Sequence, residues 1–145
     1  MKLGIDIMGG DYAPEKTVHG AILALKELPE NITVVLFGEK EKILFELKKY
    51  KFNENKISII DCSEVISMHE HATKAFRSKP NSSIAKGFEY LAKGEIDGFA
   101  SAGNTGAMFV GGFYTVKAIP GVLRPPLATI FPKETGGVNV LLDVG

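Results

Sequence analysis

Two glycine turns carry the residue types from which an anion site is built. Met8-Gly9-Gly10-Asp11 follows the first apolar run of the chain, and Ser101-Ala102-Gly103-Asn104-Thr105-Gly106 follows a later one. Glycine removes side-chain bulk so that backbone N–H groups approach a ligand. In the second turn Ser101, Asn104 and Thr105 add hydroxyl and amide donors where a helix begins. That environment fits a phosphate-like dianion. The same residues also serve a plainer purpose, with Asn104 or Thr105 capping the helix and Gly103 and Gly106 allowing close packing; both readings stay open on the turn alone. Between the two turns, Lys74, Arg77 and Lys79 run into Asn81-Ser82-Ser83 at the start of another helix. This is either a second anion-binding edge or a solvated basic loop with Ser82 as N-cap. Asp6 and Asp11 flank the first turn, where a carboxylate can orient a ligand hydroxyl, hold a metal or, for Asp11, cap the helix that Pro14 begins.

Other chemistries find little support. His69 and His71 sit two residues apart, a spacing that suits no helical metal pair, and Cys62 is distant from both, so no metal site is expected. A Gly-x-Ser-x-Gly elbow is absent and nothing beside Cys62 would activate it as a nucleophile. The Gly-x-Gly-x-x-Gly fingerprint is absent as well, which disfavours a nicotinamide enzyme. If the chain serves catalysis, its ligand supplies the nucleophile.

These turns need strands and helices to hold them. Leu3–Met8, Asn31–Phe37, Lys56–Asp61 and Asp97–Ala102 read as strands. Helical spacing of apolar residues marks Pro14–Leu28, Glu39–Tyr50 and Ser82–Lys93. Asn104–Ala118 reads as a helix apolar almost all round, which predicts deep burial. Leu127–Phe131 and Val138–Val144, joined by Lys133–Gly137, predict an antiparallel hairpin and hence a mixed sheet. The alternation predicts an α/β fold: a doubly wound, mainly parallel sheet with helices on both faces, a Rossmann-like αβα sandwich with a C-terminal antiparallel hairpin. Cys62–Asn81 is the longest connection, and long connections are often functional. The 145 residues suit one domain. Lys plus Arg equals Asp plus Glu at 17 each, so no net field gathers nucleic acid and any anion site is local. One cysteine and no signal-peptide pattern predict a cytoplasmic protein.

In order, these pieces resemble the bacterial phosphate acyltransferase family. The residues that carry the likeness are Asp6-Ile7-Met8-Gly9-Gly10-Asp11 with Ala13-Pro14, and Lys74, Arg77 and Lys79 with Asn81-Ser82-Ser83. They continue through Ser101-Ala102-Gly103-Asn104-Thr105-Gly106-Ala107, Arg124-Pro125 and Leu142-Asp143-Val144-Gly145. The pairing of Met-Gly-Gly-Asp with Gly-Asn-Thr-Gly is specific, although each alone is weak. The likeness covers the whole chain but less than half of a family member, whose fold is two-lobed.

The resemblance implies transfer of a fatty acyl group from acyl carrier protein to inorganic phosphate, giving an acyl phosphate for phospholipid biosynthesis without a cofactor. It further implies a homodimer in the full-length form and peripheral association with the inner face of the cytoplasmic membrane. As site residues it implies Asp6, Asp11, Arg77, Lys79 and Asn104 in catalysis. Gly9, Gly10, Ser82, Ser83, Ser101, Gly103, Asn104, Thr105 and Gly106 would bind phosphate or substrate. Two rivals stand beside it: a transferase moving short acyl groups from coenzyme A to phosphate, and a catalytically incomplete anion-binding fragment.

Overall fold

The computed structural model describes residues 1–123 and 125–144; Arg124 and Gly145, which belong to the motifs above, lie outside the described residues. Four strands, β1 (Lys2–Asp6), β2 (Thr33–Gly38), β3 (Ile57–Asp61) and β4 (Gly98–Ala100), form a parallel sheet in the order β3-β2-β1-β4. Helices α1 (Glu15–Glu27) and α2 (Lys40–Leu47) connect β1 to β2 and β2 to β3. Three further helices follow: α3 (Ala72–Ser78), α4 (Ser83–Ala92) and α5 (Thr105–Gly111), the last continued by a π-helical turn over Gly112–Val116.

Burial explains the arrangement. Strand β2 is Thr-Val-Val-Leu-Phe-Gly, buried from Val34 onward, because it lies inside the sheet with helices on both faces. Val34 and Leu36 point to one face, where they pack with Ile7 of the first turn, Val18, Ala21 and Ile22 of α1, and Ile43 and Leu47 of α2. Val35 and Phe37 point to the other, against Cys62, Ile96 and Phe99. Beyond them lies a cluster of Ile66, Ala75, Ile84, Phe88 and Ala107 under α3, α4 and α5. Asp61 adds a polar tie across the sheet end: its carboxylate accepts the backbone N–H of Lys40, at the start of α2, at 3.0 Å.

The α/β sandwich and its hairpin match the sequence reading, and four details differ. The hairpin of β5 (Ala128–Pro132) and β6 (Val138–Leu142) forms its own two-stranded sheet, so the main sheet is wholly parallel rather than mixed. The apolar helix after Asn104 is not deeply buried throughout: Phe113, Tyr114 and Val116 are 39%, 63% and 48% exposed. The described residues leave its outer face uncovered. The long connection after β3 contains α3, which places Lys74 and Arg77 on a helix instead of a loop. Asp11 does not cap α1, which starts after Pro14 with no side-chain cap.

Candidate active site at the reversal of strand order

From β1 the chain steps outward to β2 and β3, then returns across the sheet to place β4 on the other side of β1. The crevice beyond the carboxyl ends of β1 and β4 is therefore the point where strand order reverses, the usual ligand site of open α/β sheets. Both glycine turns converge there.

Asp6, at the end of β1, is 1% exposed and organises the two turns at once. One carboxylate oxygen accepts the backbone N–H of Met8 at 3.0 Å, and the other accepts the Ser101 hydroxyl at 2.7 Å. Ser101 Oγ in turn accepts the N–H of Gly103 at 2.9 Å. Gly9 sits inside this junction: a Cβ there would lie 2.5 Å from Asp6 Oδ2, 2.7 Å from the Gly103 nitrogen and 2.8 Å from Ser101 Oγ. Only glycine fits. Gly10, at φ 102°, lies over Ala102. Thr17 of α1 fastens the far side of the first turn, its hydroxyl meeting the carbonyls of Ile7 at 2.6 Å and Pro14 at 2.9 Å.

Asn104 is buried and fully engaged. Its Oδ1 accepts the Ala107 N–H at 2.9 Å, which caps α5, and its Nδ2 donates to the carbonyls of Ser67 and Glu70, each at 3.0 Å. The side chain clips the loop before α3 to the second turn. Gly106 completes the clip, because a Cβ there would stand 2.8 Å from Ala72 Cβ at the start of α3. With Gly103 N–H turned to Ser101 and Ala107 N–H to Asn104, the N–H groups of Asn104, Thr105 and Gly106 have no protein acceptor among the described residues. Three successive donors at a helix start, with Thr105 exposed beside them, are an arrangement able to bind an anion.

The basic run divides. Lys79 donates to the Val65 carbonyl at 2.8 Å and to Glu70 Oε2 at 2.7 Å, bracing the loop that Asn104 holds from the other side. That ammonium and the Ser67 N–H hold the Glu70 carboxyl below the usual carboxylate range. Lys74 and Arg77 are exposed and line an open hollow of about 520 Å³ with His71, Thr73 and Ser78. Ser82 caps α4, accepting the Ala85 N–H and donating to the Lys79 carbonyl at 2.7 Å, and Ser83 is buried behind it. Glu64 accepts the Asn81 N–H at 2.8 Å, joining the strand-three loop to the same helix start.

The structure thus brings Asp6, Gly9, Gly10, Ser101, Gly103, Asn104, Thr105 and Gly106 together. It sets Asp11 at the exposed rim, and Arg77, Ser82 and Ser83 on the flanking helices. Sequence reasoning missed the Asn104 clip and the Thr17 staple. A hydroxyl three residues after Pro14 was a usable signal for the staple; nothing in the sequence announced the clip. Burial pushes the Cys62 thiol up to about 12, so the lone cysteine is an inert core residue. Among the described residues no group of three or more His, Cys, Asp or Glu is placed to hold a metal. A larger hollow of about 730 Å³ opens at the opposite end of the sheet, beside Lys2, Tyr90 and Asp97, away from every helix start described above.

The likeness to known proteins extends over the whole chain. A family described as fatty acid synthesis protein matches residues 1–145. Phosphate acyltransferases of Dictyoglomus turgidum and Dictyoglomus thermophilum are 45% and 43% identical over the whole chain. That of Halothermothrix orenii is 42% identical over the same span. The chain spans 43% of the length of each of these relatives. With a full-length family match and relatives this similar, the chain belongs to the fatty acid synthesis protein family that includes the phosphate acyltransferases.

Proposed function

We propose that this chain is the N-terminal α/β domain of a longer, two-lobed enzyme that transfers a fatty acyl group from acyl carrier protein to inorganic phosphate. The observation that carries the reading is the convergence of both glycine turns at the strand-order reversal, with three N–H donors at the start of α5 that have no acceptor among the described residues. A bound phosphate oxygen attacks the thioester carbonyl carbon, the C–O bond forms and the carbonyl electrons move to oxygen. Collapse of that oxyanion breaks the C–S bond, and the carrier thiolate leaves and takes up a proton. The products are an acyl phosphate, an intermediate for phospholipid synthesis, and the free carrier thiol.

The N–H groups of Asn104, Thr105 and Gly106 hold the phosphate, and Arg77 offsets its charge or that of the oxyanion. Asp6 and Lys79 position the turns and the loop, and Asp11 stands at the rim. Phosphate is already an oxygen nucleophile at neutral pH, so positioning and exclusion of water carry much of the rate. We place the enzyme in the cytoplasm, as a homodimer at full length, at or near the inner face of the membrane. Among the described residues no helix is long and apolar enough to cross it.

The test is phosphate-dependent release of thiol from palmitoyl acyl carrier protein, on this chain and on one extended to the length of its relatives. Release by the extended chain supports the reading; strict preference for a short-chain coenzyme A thioester would sink it. The exposed hairpin and outer face of the π-helical turn favour a second reading for the 145-residue chain alone: it binds anions without turnover.

A further inference from the structure

Helix α3 buries one side and leaves the other to solvent. Ala72, Ala75 and Phe76 pack into the cluster around Ile66, Ile84 and Phe88, and Lys79, just past the helix end, turns to Glu70 and the Val65 carbonyl. On the opposite side stand Thr73, Lys74, Arg77 and Ser78, which with His71 line the open hollow of about 520 Å³. Helical spacing accounts for the division, because residues three and four apart share a face. No acidic residue lines the hollow. Neither Lys74 nor Arg77 has a carboxylate partner among the described residues, and Glu70, the carboxylate closest to Lys74 in sequence, is taken by Lys79. This face is positive in a chain whose total charge is zero. It also begins at the proposed phosphate seat. His71 lies between Glu70, whose carbonyl accepts the Asn104 amide at 3.0 Å, and Ala72, whose Cβ would stand 2.8 Å from a Cβ at Gly106. At about 1.5 Å per residue, Arg77 is roughly 9 Å further along the helix.

We infer that this face docks an acidic surface of the acyl carrier protein, holding the carrier beside α3 while its tethered thioester reaches the start of α5. The inference rests on the acyl-transfer reading above and adds the place where the donor protein binds. The layout of the face selects the occupant. Cations spread along successive turns of a helix suit a row of carboxylates, whereas a single phosphate is held by donors that converge on one point. A lipid surface is held by inserted apolar side chains or by a cluster of roughly four to eight cations. Helix α3 spends its apolar side in the core and exposes only Lys74 and Arg77. Charge complementarity of this kind steers encounter and fixes orientation more than it adds affinity, which suits a carrier that must leave after each transfer. Lys74 is the docking residue; Arg77, given above to the charge of the reacting groups, adds to the positive potential of the face.

The experiment measures steady-state thiol release by the chain extended to the length of its relatives, with palmitoyl acyl carrier protein and palmitoyl pantetheine as alternative donors. Lys74→Glu should raise KM for the carrier-borne donor by roughly tenfold, an attraction being replaced by a repulsion, and change kcat little. KM for phosphate and for palmitoyl pantetheine, which lacks the carrier, should hardly move. Added salt should weaken use of the carrier by the parent enzyme more than by Lys74→Glu. Lys48→Glu makes the same charge change at the far end of α2, on an exposed side chain, and should leave the carrier KM as it is. An equal rise in both variants would reduce the effect to net charge and overturn the inference. Equal losses with both donors would place Lys74 with the reacting groups instead. An unchanged carrier KM in Lys74→Glu, with or without lost binding to phosphatidylglycerol vesicles, would remove the carrier from this face. If the extended chain releases no thiol from either donor, the acyl-transfer reading itself fails, and the inference with it.

Discussion

The strand-order reversal and the C-terminal hairpin are both made of glycine-rich turns and apolar strands, yet they are held in opposite ways. At the reversal, one buried carboxylate fixes two turns, one amide fixes a helix start and a distant loop, and a missing Cβ decides each close approach. In the hairpin the backbone ladder is complete from Ala128↔Leu142 to Pro132↔Val138, but every residue of β6 is exposed. Pairing without burial leaves a two-stranded ribbon marginal in water. The site is therefore preorganised by contacts internal to this chain, whereas the segment after the π-helical turn has the ladder of a folded element and none of its core.

That contrast can be broken or sharpened by mutation. The largest effect should come from Gly9→Val, which drives side-chain atoms into Asp6, Ser101 and the Gly103 backbone; we expect a loss on the order of 3 kcal/mol or more in urea unfolding. A loss under about 0.5 kcal/mol would show the junction to be plastic. Asn104→Ala removes a cap and two carbonyl partners and should cost about 2–3 kcal/mol, with faster amide exchange through Ser67–Glu70. An exchange pattern unchanged in that loop would deny the clip. A smaller effect, seen in pH dependence, belongs to Glu70. Its carboxyl is held low by Lys79, so the pair stabilises the fold above the unfolded carboxylate value near about 4.3 and loses that contribution as pH falls through the lower folded value. Glu70→Gln should therefore flatten the acid limb of the stability profile, modestly because the pair faces solvent; an acid limb identical in both proteins would count against it. Smallest of all, Val140→Thr and Leu142→Thr should change stability by less than about 0.5 kcal/mol. The same pair should reduce any self-association seen by sedimentation. A cooperative loss of stability instead would mean the hairpin is buried in solution.

Much of the frame was legible because period and punctuation agree: Val18, Ala21 and Ile22 mark the inner stripe of α1, and Gly38 closes β2 where the pattern changes. Helix α3 escaped notice because its seven residues contain only Ala72, Ala75 and Phe76 as an apolar face, within a basic stretch. The outer end of the apolar helix differs from its expected burial because composition reports what a segment tends to bury, not whether a partner is present. At the site, residue types pointed to the turns, but not to who holds whom. Asp6 and Ser101 are 95 positions apart, and only the placement of β4 beside β1 makes them neighbours. Asn104 looked like a ligand donor by type; its amide is spent on carbonyls of a loop that no local pattern connects to it.

That 95-residue separation also governs when the proposed anion seat comes into being. Parallel pairing of β1 with β4 closes the longest loop in the sheet, and such contacts form late because the closure entropy precedes their reward. Ser101→Ala should then speed unfolding while leaving the folding rate nearly untouched. A chain emerging from the ribosome would have β1 to β3 assembled while its first glycine turn still lacked a partner. The proposed seat would exist only once Gly103 has docked, so any binding of phosphate during synthesis would report that the sheet had reversed its order.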